Sequence, residues 1–161
     1  AYEADKERKE HLEMAEIELK KSIELRYNNS TSHCNLSKVY LLQDKYEKSI
    51  DEARITNNIS KSEYAYHNMG LAYKKMGKTQ EAIDAFLEGY KLDNKCSFIL
   101  KALGNTYYEM EDYKNAEKYF EEFLKHNIYS DSKEIQEKLD KLRKSLDDEA
   151  HEKPDFLPES G

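Results

Sequence analysis

Residues 63–96 read EYAYHNMGLAYKKMGKTQEAIDAFLEGYKLDNKC, and residues 97–130 read SFILKALGNTYYEMEDYKNAEKYFEEFLKHNIYS. Laid together, the two stretches place Gly70 on Gly104, Tyr73 on Tyr107, Ala82 on Ala116 and Phe86 on Phe120; Met69 falls on Leu103 and Met76 on Met110. Self-similarity at a period of 34 residues marks a stacked helical-hairpin repeat. Each stretch carries two apolar stripes at helical spacing, broken at Gly77-Lys78 in one and Glu111-Asp112 in the other. Gly70 is expected to face Ala82, and Gly104 to face Ala116, because two helices approach closely only where a side chain is nearly absent. Large residues flank these crossings: Tyr66, Met69, Tyr73 and Phe86 in one, Leu100, Leu103, Tyr107 and Phe120 in the other. One hairpin cannot bury so much apolar surface, so the hairpins must stack.

Working outward, residues 30–62 read as a degenerate copy of 33 residues. Leu36 and Tyr40 take the places of Met69 and Tyr73, whereas Ser37 replaces the glycine, Ser49 the alanine and Ala53 the phenylalanine. Thr56, Asn57 and Asn58 are poor helix formers, so the second helix is expected to fray early and the hairpin to be loose. Residues 1–29 fit one helix, with Leu12, Ala15, Leu19 and Ile23 at spacings of three or four, ended by Asn28-Asn29-Ser30. In register, this is the second helix of an incomplete repeat, with an apolar edge left uncovered. Residues 131–149 fit a capping helix whose candidate N-cap is Asp131, with Ile135, Leu139, Leu142 and Leu146 on one face. Residues 150–161 hold both prolines and fit a flexible tail, with Phe156 and Leu157 as a small apolar anchor.

Composition narrows the function. The 161-residue chain has a formal net charge of −7, which argues against a general nucleic-acid binder. No apolar run approaches the length of a membrane span. Cys34 and Cys96 match no metal-ligand spacing, and His11, His33, His67, His126 and His151 are scattered without an i, i+4 pair. Cys34 and His67 fall on neighbouring first helices, but no third group is evident to orient such a pair for catalysis. There is no glycine-rich phosphate loop. No enzyme activity, metal or cofactor is expected. The start at Ala1 is compatible with a removed leader or anchor, and Asn-x-Ser/Thr triplets such as Asn58-Ile59-Ser60 are expected by chance.

The stretch 63–130 resembles the tetratricopeptide repeat (TPR) family. The resemblance implies an all-α, right-handed superhelical solenoid with a concave groove lined by the first helix of each hairpin, used to bind protein. The face turned from the packing residues would carry Asn35 and Lys38, then Tyr64, His67, Asn68, Lys74 and Lys75, then Phe98, Lys101, Asn105 and Tyr108. Asparagine amides can pair with the backbone of an extended peptide, lysines with carboxylates, and rings offer apolar area. A partner protein or peptide of acidic or polar character is therefore expected. The alternative is a structural protein that self-associates through the N-terminal edge or the tail. In TPR domains that clamp a chaperone's C-terminal carboxylate, the clamp positions would fall here on Cys34, Lys38, Asn68, Phe98 and Ala102. Only Asn68 matches, so no such clamp is expected.

The segment 58–70, with Tyr73-Lys74-Lys75-Met76-Gly77, also resembles the mid-region of bacterial type IV pilus pilotins, lipoproteins that assist secretin assembly. Cys96 sits near a cysteine of some pilotins, but the usual partner position is Glu117. That likeness implies a periplasmic location, whereas free thiols fit the reducing cytoplasm; the localisation stays open.

Overall fold

The computed structural model describes residues 2–26, 29–126 and 132–151. Eight helices lie among them: α1 (Tyr2–Leu25), α2 (Ser30–Leu42), α3 (Tyr46–Ile59), α4 (Glu63–Lys75), α5 (Thr79–Leu92), α6 (Ser97–Glu109), α7 (Tyr113–His126) and α8 (Ser132–His151). Helices consecutive in the chain pack on one another, most extensively as α2 with α3, α4 with α5 and α6 with α7. In addition α2 touches α4 and α4 touches α6, so these three form one row of an all-α solenoid.

The three hairpin turns are built alike. Each first helix ends in a paired motif in which the backbone N–H of Lys45, Lys78 or Asp112 donates to the carbonyl of Tyr40, Tyr73 or Tyr107 at 2.9, 2.9 and 3.0 Å. One residue earlier, Asp44, Gly77 and Glu111 donate to Leu41, Lys74 and Tyr108. This arrangement satisfies the last helical carbonyls and needs a left-handed residue between. That residue is Asp44 (φ 58°), Gly77 (φ 73°) or Glu111 (φ 61°). Only Gly77 adopts the conformation without a Cβ penalty.

The crossings differ from the sequence expectation in one respect. A Cβ on Gly70 would lie 2.3 Å from Cε1 of Phe86, and one on Gly104 would lie 2.5 Å from Cδ1 of Phe120. The glycines therefore stand against the rings, not principally against Ala82 and Ala116, though both alanines are also buried. Each ring lies where the opposite helix has no side chain. From Ala82, Ile83 and Phe86 the core runs unbroken through Leu100, Leu103, Ala116 and Phe120 to Ile135, Leu139 and Leu142 of α8. Tyr73 and Tyr107 border it, half-buried.

The expected looseness of the α2–α3 hairpin is not found. α3 is helical to Ile59, and Thr56 is buried with its hydroxyl donating to the Glu52 carbonyl at 2.9 Å. Ser37 Oγ donates to the Ser49 carbonyl and Ser49 Oγ to the Ser37 carbonyl, both at 2.8 Å. With Ala53 in place of a phenylalanine the crossing has room for two serines, and their hydroxyls close it. The Asn57 side chain accepts from the Ser62 N–H at 3.0 Å and so shapes the link into α4. Poor helix propensity is overridden by burial and by these bonds.

At the N-terminal end, Asn29 caps α2 by accepting from the Ser32 N–H at 3.1 Å, and its amide donates to Ser22 of α1. Glu16 of α1 accepts from Lys20 at 2.7 Å and Lys45 at 3.0 Å, which draws its carboxyl down to about 2. Leu12, Ala15, Leu19 and Ile23 of α1 are half-buried, whereas Met14 (60 %), Ile17 (54 %) and Leu25 (84 %) are exposed. At the other end α8 runs to His151, so Ala150 and His151 belong to the helix and not to the tail. Asp131 and residues 152–161 lie outside the described residues.

Candidate partner-binding site

A cavity of about 750 Å³ lies between the N-terminal halves of α2 and α4. α2 supplies Cys34, Asn35 and Lys38; α4 supplies Tyr64, His67 and Asn68; Phe98 reaches in from α6. The link Ser60-Lys61-Ser62 and Thr56 of α3 complete the wall. Of the eleven groove residues expected from sequence, six meet here. Their geometry follows from a shared helix face repeated in adjacent helices: Phe98 is 34 residues beyond Tyr64, so the two rings stack with centroids 4.8 Å apart and planes at 29°. His67 meets Phe98 edge-on at 5.0 Å and tilts against Phe86 at 5.9 Å. Tyr64 is 62 % exposed and forms the rim of this ring ladder.

The charges are arranged around it. Burial, helped by the nearby Lys38 ammonium, pushes the His67 imidazole down to about 4, so it is neutral at physiological pH and offers one donor and one acceptor. Burial raises the Cys34 thiol, against a weaker opposing contact with Ser62. Burial therefore favours the protonated thiol, and Cys34 and His67 both line the cavity. Among the described residues no group of three or more His, Cys, Asp or Glu could hold a metal. Lys38 and Lys61 are exposed on the cavity edge, with the Glu63 carboxylate nearby.

Asn68 is a correction. It is only 4 % exposed, and its Nδ2 donates to the Cys34 carbonyl at 3.4 Å, so it ties α4 to α2 at the cavity floor instead of facing solvent. It shares an inward line with buried Ala65 and Ala72, a spacing present in the sequence. The other five residues lie outside this cavity. Lys74 pairs with Glu109 at 2.7 Å, and Lys75 is exposed nearby. Lys101, half-buried, stands 3.6 Å from Glu134, and Asn105 accepts from Lys138 at 2.9 Å, so α8 engages both. Tyr108 leans on Phe120 and Tyr113. Conversely, Lys61 and Ser62 line the cavity without a sequence signal: they sit in a link, where helical periodicity says nothing.

The fold is a helical-hairpin solenoid, with a cavity of about 750 Å³ between two helices of one row. Residues 63–96 and residues 97–128 each match the tetratricopeptide repeat. Among solved structures, the chain is similar to the Sgt2 TPR domain from Aspergillus fumigatus, at 21 % identity and TM-score 0.66, covering 82 % of this chain and 90 % of that one. It is similar to MamA, at 19 % identity and TM-score 0.68, covering 91 % and 95 %. A third is the first TPR of Spaghetti (RPAP3) bound to an HSP90 peptide, SRMEEVD, at 18 % identity and TM-score 0.67, covering 73 % and 95 %. At these identities the likeness concerns the fold. Among curated proteins no sequence matches. Residues 63–128 are thus two repeats of the tetratricopeptide family, in a chain that shares the fold of those solved structures.

Proposed function

We propose that this chain is a non-enzymatic protein-interaction module whose cavity between α2 and α4 holds an extended segment of a protein partner. In this reading α1 is the second helix of an incomplete repeat, α2–α3 a degenerate repeat and α8 the cap. One contrast carries it. Lys38 and Lys61 are exposed at the edge of an aromatic-walled cavity, whereas Lys74 and Lys101 further along the same row are beside Glu109 and Glu134. The segment that fits has an apolar side chain to lie among Tyr64, His67 and Phe98, with carboxylates on either side. The neutral His67 imidazole and the exposed Asn35 amide can pair with its backbone.

The test is a fluorescence-anisotropy titration with a labelled extended peptide, phenylalanine flanked by glutamates, beside a lysine-flanked control. The acidic peptide should bind and the basic one should not. Lys38→Glu with Lys61→Glu should weaken binding by about tenfold or more, the scale of losing one to two rim charge contacts and gaining repulsion. Lys75→Glu should leave it within about twofold. Equal binding by all three proteins would remove the cavity from the function. A second reading, self-association through α1, is favoured by the exposed Met14, Ile17 and Leu25. It predicts that charges placed there abolish self-association without touching peptide binding.

A further inference from the structure

We infer that the α2–α4 cavity receives residues 152–159 of a second copy of this chain, so that the protein associates tail to groove. This rests on the reading of the cavity as a segment-binding site and names an occupant for it.

The chemistry of the segment is complementary to the wall. Residues 152–161 read EKPDFLPESG, with Glu152, Asp155 and Glu159 against the single base Lys153, a net charge of −2 from three acids and one base. Its apolar pair, Phe156-Leu157, lies between Pro154 and Pro158 with Asp155 immediately before it. Two prolines bias the backbone to extended forms and lower the entropy lost on docking. The cavity offers the stacked rings of Tyr64 and Phe98 for the apolar pair and the exposed Lys38 and Lys61 for the flanking carboxylates.

Reach selects the second copy over the chain's own tail. Glu134, near the start of α8, stands beside Lys101 of α6, and Lys138 a turn later donates to Asn105, so α8 runs alongside α6 in the direction that leads away from Phe98 at the cavity wall. From Glu134 the helix runs seventeen residues to His151, carrying the chain about 26 Å along its axis. Phe156 is five residues further on, at most about 18 Å even when fully extended. It cannot return to its own cavity, and a neighbour's cavity imposes no such limit. The contact joins two different patches, so each copy keeps one donor tail and one acceptor cavity, and assembly is open-ended unless two copies exchange tails and close as a dimer.

Sedimentation equilibrium of the full chain from micromolar to millimolar concentration tests this. Three proteins are compared: wild type, the tail variant Phe156→Ser/Leu157→Ser, and the cavity variant Lys38→Glu/Lys61→Glu. Circular dichroism checks that each stays folded. The average mass of the wild type should rise with concentration, and each variant alone should remain a monomer. An equimolar mixture of the two variants should associate again, because one retains the cavity and the other the tail. A tail variant that associates like the wild type, or a mixture that stays monomeric, overturns the proposal. So does a wild type that is monomeric throughout. If the acidic probe peptide still binds in that case, only the tail proposal falls; if it does not, the cavity reading falls as well.

Discussion

The α2–α3 hairpin and the α4–α5 hairpin reach the same shape by opposite means. In α4–α5 the ring of Phe86, fully buried, lies where Gly70 presents no side chain. In α2–α3 the aromatic volume is gone. Ala53 stands in the place of Phe86, and the space is shared by Ser37 and Ser49, which bond reciprocally to each other's backbone. One crossing is closed by dispersion and apolar burial, the other by two hydrogen bonds between fully buried serines. A repeat position is thus a shared volume between two helices, and substitutions at one side are legible only together with those at the other.

The contrast breaks most severely at Phe86. Phe86→Ala should cost about 3–5 kcal/mol in urea denaturation, because the cavity it leaves faces a glycine that cannot fill it. Adding Gly70→Ser and Ala82→Ser, which copies α2–α3 into α4–α5, should restore a measurable part. Gly70→Ala alone should cost about 1–3 kcal/mol by forcing the buried ring aside. The equivalent change in the other hairpin, Ser37→Ala, should cost only about 1 kcal/mol, the scale of a lost hydrogen bond. Equal costs at the two sites would mean that the crossings do not differ as described.

Acid separates the second hairpin from the first through His67. Its imidazole is held down to about 4 against an ordinary 6.5. Above 6.5 both folded and unfolded chains leave it neutral. As pH falls towards 4 the unfolded chain takes up the proton first, and stability is lost over that window. Between pH 7 and pH 5 the loss should be about 2 kcal/mol, measured as the difference between wild type and His67→Gln. The smallest effect lies in the turns. Glu111 adopts the left-handed conformation that Gly77 adopts freely, so Glu111→Gly should stabilise by about 0.5–1 kcal/mol in thermal unfolding.

Periodicity makes the helices of residues 63–126, the turn positions and the buried face of α8 readable from sequence, because a 34-residue register and a 3.6-residue stripe both leave residue-type signals. The α2–α3 hairpin reads as loose because Thr56, Asn57 and Asn58 are poor helix formers, and the burial of Thr56 and the bond from Ser62 to Asn57 that offset this are not visible in local propensity. Asn68 reads as a groove residue because a polar side chain is assigned to solvent, although Ala65 and Ala72 share its line. Lys74, Lys101 and Asn105 are engaged by Glu109, Glu134 and Lys138, which lie 33 to 35 residues further on, two helices along the chain. No pattern within a single repeat reveals such pairs.

We place the partner segment at the seam between these two hairpins. Titrating the ¹⁵N-labelled full chain with the glutamate-flanked phenylalanine peptide, and following amide shifts, tests that placement most directly. Saturable shifts are expected at Asn35, Tyr64, His67 and Phe98, with those along α8 unmoved. Shifts confined to α1, or to Lys101, Asn105 and α8, would contradict it.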